Sequence, residues 1–279
     1  MSKLSLHQLP KSKEFLECFV PLPGHVLVGI DFSALEPKVL TYFSRDRNLL
    51  ALYGPSASPH QDIYLYNATQ MGDLGKRILA CGYSPHSPTA ETVARAKKEC
   101  KEERQISKMI TLAGNYGAGA PKIHKSLLQA GFDVTLREVQ SYHRAFWQTY
   151  AKIKHFEMRL QSQWYTNNGV ITNGRGRPLG VAESSLKDLV NRFVQSTGHD
   201  LLICYLMLLT KALQEVPWKP YIVDLHDEVI LQVPVHYAEQ TAEKMSKVMD
   251  ELNEGLQWDV KFSGTPTIGR NLAEIKLAG

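Results

Sequence analysis

Cysteine is scarce in this 279-residue chain, with four in all: Cys18, Cys81, Cys100 and Cys204. They form no CxxC pair and no zinc-ligand spacing. That excludes a zinc finger and a disulfide-stapled fold, and reads as reduced thiols in a cytosolic protein. Long hydrophobic runs are missing too. The most apolar stretch, Leu201 to Leu209, is too short to cross a bilayer, and Asp200 and Lys211 bracket it as they would a buried core helix. The start, Met1-Ser-Lys-Leu-Ser-Leu6, lacks the apolar core of a secretory signal. No membrane partner is expected, and the cytoplasm is the expected compartment. Excess charge is small, +4, which permits nucleic-acid binding without arguing for it. Internal repeats and low-complexity segments are absent, which excludes a solenoid. What remains is an ordinary globular composition, long enough for one or two domains with a substantial core.

The chain is organised around Tyr221-Ile-Val-Asp-Leu-His226-Asp227-Glu228-Val-Ile-Leu-Gln-Val233. Two β-branched apolar runs flank His, Asp and Glu, the pattern of a hairpin with its carboxylates at the turn. Val26 to Ile30 is a second buried-type strand, ending in Asp31. Alone, each aspartate reads equally well as a turn or cap residue. Together, on adjacent strand ends, they make a site for hard divalent cations. Ser33-Ala-Leu-Glu36 has capping-box spacing, so a helix is expected from there to Ser44, ended by Arg45-Asp46, with Pro37 tolerated in its first turn.

Glu91 to Leu112 reads as one long helix whose first half is polar all round. Arg104, Lys108 and Leu112 fall at i, i+4 and i+8 on one face. A solvated charged face accounts for the cations. A triphosphate against them also accounts for Tyr116 and the glycines at 114, 117 and 119. Residues 121–168 read as helical throughout, with Trp147, Tyr150, Phe156 and Trp164 in the core. Val170 to Thr172 is a short strand between turns, the second carrying Arg175 and Arg177, which suit phosphates or plain solvent. A helical stretch from Ser185 to Leu213 places Lys187, Asn191 and Gln195 on one polar face. An amphipathic helix near 236–254 and a strand-like run from Trp258 to Phe262 complete the chain.

Three segments carry a family resemblance. Asp31-Phe-Ser-Ala-Leu-Glu36-Pro-Lys38 resembles the first polymerase motif of family A DNA polymerases, the group of bacterial DNA polymerase I. Arg104-Gln-Ile-Ser-Lys108-Met-Ile-Thr-Leu112-Ala-Gly-Asn-Tyr116-Gly117 resembles their fingers-helix motif. Leu225-His226-Asp227-Glu228-Val229 resembles their third motif. Thr172-Asn-Gly-Arg175 and Asn191-Arg-Phe-Val-Gln195 are similar to further family segments. Order and spacing agree from about residue 8 onward, and three mechanism-bearing motifs in sequence are far more specific than any one.

The resemblance implies an α+β fold: a palm of antiparallel sheet and helices, with an inserted, mostly helical fingers subdomain. It puts the palm at 1–60 and 170–279 and the fingers at 61–169, without thumb or exonuclease, as in a split or truncated phage-type polymerase. It implies a DNA-directed DNA polymerase of DNA replication, with primer-template DNA and deoxynucleoside triphosphates as partners and a separate thumb or exonuclease subunit as a possible one. Asp31 and Asp227 would hold two magnesium ions about 3.5–4 Å apart. Arg104 and Lys108 would meet the triphosphate, with Lys108 an acid for the leaving pyrophosphate, and Glu228 would stand behind the metal ligands. His226 would pack near the primer terminus. Arg175, Lys187, Asn191 and Gln195 would face DNA. Glu36 and Tyr116 would close on the sugar and reject a 2′-hydroxyl. The chain departs from the family at Ala34 (usually Gln), Pro37 (Leu), Tyr64 (His, a triphosphate contact), Leu112 (an aromatic), Lys187 (Arg) and Ser196 (Gly). A non-catalytic DNA-binding subunit is the reading from another class. A single-subunit RNA polymerase shares the palm logic, but Glu36 argues against it.

Overall fold

The structure is a computed structural model that describes residues 12–115, 117–225 and 227–276. In chain order it runs α1 (Lys13–Leu16), β1 (His25–Asp31), α2 (Leu35–Ser44), α3 (Arg47–Tyr53), α4 (Ile63–Thr69) and α5 (Asp73–Ala80). Then come α6 (Ala90–Glu99), α7 (Lys101–Asn115), α8 (Ala120–Gln129), α9 (Leu136–Thr149) and α10 (Ala151–Thr166). The remainder is β2 (Val170–Thr172), β3 (Pro178–Gly180), α11 (Leu189–Ala212), β4 (Tyr221–Leu225), β5 (Glu228–Pro234), α12 (Ala238–Leu256), β6 (Thr267–Gly269) and α13 (Leu272–Lys276). The chain forms two compact units, Met1–Glu36 with Ser196–Gly279, and Pro37–Gln195. No helix among the described residues is long and apolar enough to cross a membrane.

The first unit is built on an antiparallel sheet in the order β4-β5-β1-β6. Its central strands are apolar on both faces because both faces are covered. Val28, Ile30, Val229 and Leu231 are buried, as are Met245, Val248 and Met249 of α12, which packs on β1, β5 and β6. Leu27 and Ile230 join Leu16, Leu272 and Ile275 in a second cluster, which brings in α1 and α13. A Cβ at Gly29 would lie 2.6 Å from Ile275 Cγ2, so glycine lets α13 sit against β1. The expected strand from Trp258 to Phe262 does not form. Trp258, Val260 and Phe262 are buried, but the Asn253 amide holds Phe262 in place of a ladder: Nδ2 donates to its carbonyl and Oδ1 accepts from its N–H, both at 2.8 Å. The strand beside β1 on the side away from β5 is β6 instead.

The second unit is helical apart from the β2–β3 hairpin. Its interior is tied by polar groups as well as apolar ones. Asn67 Nδ2 donates to Thr111 Oγ1 at 2.8 Å, and the Tyr150 hydroxyl donates to Asn67 Oδ1. Asp46 caps α3 through the amides of Asn48 and Leu49, and its Oδ2 accepts from the Lys152 N–H at 3.1 Å. The Phe43 and Phe156 rings both meet Phe193 edge-on, about 5 Å away. These contacts tie 37–60 and 170–195 to residues within 61–169, and all three segments belong to the second compact unit.

Two expected long helices are interrupted. Glu91 to Leu112 breaks at Cys100, which leaves helical geometry (φ −117°, ψ 40°) and buries its thiol with Val93 and Ala96, 2.7 Å from Cys81 Sγ. Residues 121–168 form three helices. Gly131, at φ +86°, ends α8, and Thr135 opens α9 with a reciprocal capping box to Glu138. Trp147 and Trp164 are half-buried rather than in the core, and Trp164 Nε1 donates to the Val181 carbonyl at 2.7 Å. The expected helix from Ser185 begins at Leu189. Lys187 lies in a 3₁₀ stretch, Glu183–Asp188, so it leaves the face that Asn191 and Gln195 share on α11.

Candidate functional site

The hairpin expected at 221–233 is present, its last pair being Leu225 opposite Glu228. β5 pairs with β1 so that Asp31 lies opposite Glu228, and the Phe32 N–H donates to the Asp227 carbonyl at 2.9 Å. The two strand-end aspartates are thus neighbours through the backbone. Gly264 passes against the Asp31 carbonyl, where a Cβ would collide, and the Ser33 N–H donates to the Ser263 carbonyl at 2.8 Å. Glu228 is buried, and its Oε2 is 2.6 Å from Lys276 Nζ of α13. That pairing commits Glu228 to holding α13 and leaves Asp31 and Asp227 as the carboxylates at the rim.

Asp31 is pushed up from 3.8 to about 6. Partial withdrawal from water contributes most, although the residue stays solvent-exposed. The charges of Asp227 and Glu228 add to it, while Lys276 and the Phe32 amide pull the other way. Three like charges at the ends of two adjacent strands favour a bound counter-charge. Among the described residues no three His, Cys, Asp or Glu side chains form a ready-made metal cage. Two carboxylate donors fit magnesium, which keeps waters and shares substrate phosphates.

The second constellation lies on α7. Its buried side carries Ile106, Ser107, Ile110 and Thr111, and a Cβ at Gly114 would lie 2.8 Å from Phe146 Cε1, so glycine allows close packing on α9. Arg104, Lys108 and Leu112 share the more open face, as the spacing predicts. The Tyr64 ring lies beneath two of them, 5.2 Å from the Arg104 guanidinium and 5.6 Å from Lys108 Nζ, a cation–π arrangement. Asp62 Oδ2 accepts from Arg104 Nη2 at 2.8 Å and from Nε at 3.1 Å, and Lys97 Nζ is 3.3 Å away. Burial alone would raise the Asp62 carboxyl. The hydrogen bonds from Arg104 and the Leu65 amide, with the Arg104 and Lys97 charges, outweigh that and hold it below its ordinary value.

Of the other candidates, Glu36 lies in the first turn of α2, which opens at Leu35 behind Ala34 at φ +53°, so Ser33 stands one residue further out than a capping box needs. Arg175 sits at the tip of the β2–β3 hairpin, where Asn173 Oδ1 accepts from the N–H groups of Arg175 and Arg177, both at 2.9 Å. A Cβ at Gly117, at φ +68°, would be 3.4 Å from the Lys187 carbonyl, so the end of α7 meets the 3₁₀ stretch. Lys187 and Gln195 are exposed and Asn191 half-buried. Tyr116 and His226 lie outside the described residues. Sequence reasoning missed Lys276 and Lys97. It also missed Asp62, although an aspartate capping α4 was a local signal that could have marked that residue.

A profile of DNA polymerase family A matches residues 3–274. The DNA polymerase of Mycobacterium phage L5 is 26% identical over 235 residues, which make up 84% of this chain and 32% of that protein. DNA polymerase I of Aquifex aeolicus (strain VF5) is 29% identical over 233 residues, 81% of this chain and 35% of that protein. Among solved structures, the POL domain of Pol1 from M. smegmatis, in complex with DNA primer-template and dNTP, matches with a TM-score of 0.73 at 15% identity, covering 98% of this chain and 45% of that one. That likeness bears on the fold. The chain spans about a third of the length of these two curated relatives.

Proposed function

Since the chain belongs to DNA polymerase family A, we propose that it is the catalytic portion of a DNA-directed DNA polymerase. It joins a primer 3′-oxygen to the α-phosphorus of a deoxynucleoside triphosphate, and the bond from that phosphorus to pyrophosphate breaks. The observation that carries this is the backbone adjacency of Asp31 and Asp227, with Asp31 raised to about 6 by partial withdrawal from water and, after that, by the charges of Asp227 and Glu228. Asp31 and Asp227 are the residues that would hold two magnesium ions, with Glu228 and Lys276 bracing the edge behind them. When bound, the ions supply activation of the hydroxyl and neutralisation of the phosphates.

The chain's own part is positioning and charge. Arg104 and Lys108 bind the triphosphate, and Lys108 Nζ gives a proton to the leaving pyrophosphate oxygen. Tyr64 supports both cations from below. Leu112 packs by the sugar, and Glu36 and Tyr116 exclude a 2′-hydroxyl. Arg175, Lys187, Asn191 and Gln195 face the DNA, with His226 at the primer terminus. In this reading residues 1–60 and 170–279 serve as palm and 61–169 as fingers, working where the DNA is, in the cytoplasm.

Phosphate contacts supply most of a polymerase's grip on DNA. Lengths of relatives not covered by this chain would supply part of it, and a separate subunit carrying thumb and exonuclease is the form we propose. The test is primer extension by the purified chain with magnesium and four deoxynucleoside triphosphates, over a range of salt. Short, template-directed products that vanish steeply with salt are expected. DNA binding with no incorporation at any salt would instead mark a non-catalytic subunit.

A further inference from the structure

A buried carboxylate is costly unless it is paired, and Asp62, 8% exposed, is paired on both oxygens. Its Oδ1 accepts from the backbone N–H groups of Tyr64 and Leu65, each at 3.0 Å, and closes the N-terminus of α4. Its Oδ2 takes Nη2 and Nε of Arg104, with Lys97 beside it. α4 in turn carries Tyr64, whose ring lies under Arg104 and Lys108 and whose carbonyl accepts from Ser107 Oγ of α7 at 2.7 Å. One carboxylate therefore fixes the start of α4 and the side chain of Arg104 together.

We propose that Asp62 is a positioning residue for the incoming nucleotide's triphosphate, acting through Arg104. The proposal rests on the polymerase reading above. A guanidinium has five N–H donors in a fixed plane. Asp62 occupies Nε and one proton of Nη2, and three donors are left for phosphate oxygens. An unheld arginine loses rotamer freedom when it binds a ligand. Clamped, Arg104 has already lost it on folding. The cluster stays positive, because Arg104 and Lys97 meet the one Asp62 carboxylate and Lys108 lies over the same Tyr64 ring as Arg104. If Asp62 instead competed with phosphate for Arg104, its removal would tighten nucleotide binding.

Asp62→Asn keeps an oxygen for the amides of Tyr64 and Leu65 but loses the charge that holds Arg104. Three measurements on the full chain test the clamp: calorimetric binding of inorganic tripolyphosphate, KM and kcat for the correct nucleotide in primer extension, and both again in an Arg104→Lys background. We expect Asp62→Asn to weaken tripolyphosphate binding and raise KM on the order of ten-fold, the worth of one charge-assisted contact. The loss should fall on KM rather than kcat, and should disappear when residue 104 is lysine. Asp62→Glu, which retains the charge, should recover much of the affinity, and serves as the reading should Asp62→Asn fail to fold. Unchanged or tighter binding in Asp62→Asn, or an equal loss in both backgrounds, would overturn the clamp, and so would a wild-type chain that binds no tripolyphosphate. Asp62-dependent tripolyphosphate binding by a chain that extends no primer would sink the polymerase reading and leave the clamp standing.

Discussion

Asp62 also makes a prediction about acid. Its carboxyl is held below its ordinary value. A group with a depressed folded pKa adds stability above the unfolded value and loses it as pH falls through the folded one. Wild type should therefore be more stable than Asp62→Asn at pH 7, and the gap should begin to narrow below roughly pH 4 and shrink as the pH falls further. Urea unfolding of both proteins at pH 7 and pH 3 checks this, and a gap no smaller at pH 3 than at pH 7 contradicts the assignment. Glu36 gives a second residue-scale prediction. Glu36→Ala should raise ribonucleotide incorporation relative to deoxyribonucleotide if the carboxylate crowds the sugar. A residue that only supports the helix start should instead cost roughly 1 kcal/mol of stability with unchanged sugar preference. Which residues were legible follows from the same physics. Asp31 and Asp227 could be read because a lone carboxylate ending an apolar strand is a local pattern. The Lys276–Glu228 and Arg104–Asp62 pairs could not, because partners 48 and 42 residues apart meet only when the chain has folded.

At the scale of elements, α7 is set by its packing on α9. Gly114→Ala would drive a Cβ against Phe146. It should cost about 1–3 kcal/mol, typical of overpacking, seen as a lower Tm, with an added loss of nucleotide affinity because Arg104 and Lys108 ride on the same helix. A neutral Gly114→Ala would show that α7 has room to shift. The hairpin and the β1 strand were legible because period, β-branching and turn chemistry agree there. The breaks were harder. Cys100 lies in a run with strong helical propensity, and only the burial of its thiol among α4–α6 residues explains the break. Trp258 to Phe262 has a perfect alternation of apolar residues, yet Asn253 satisfies the backbone that a neighbouring strand would otherwise pair. In both places tertiary contacts override a correct local reading.

For the whole molecule, the order of three spaced motifs made the family legible, and the profile match over residues 3–274 agrees. How 37–60 and 170–195 pack with 61–169 was not legible, because it depends on Asp46, Asn48 and Phe193 reaching partners far along the chain. The central claim is metal-dependent nucleotidyl transfer at Asp31 and Asp227. The most direct measurement is single-nucleotide incorporation on a primed template with magnesium, comparing wild type with Asp31→Ala and Asp227→Ala, each first shown to fold by its Tm. The account predicts incorporation of the template-complementary nucleotide by wild type and none above background by either folded variant. Incorporation near the wild-type rate in either one would contradict it.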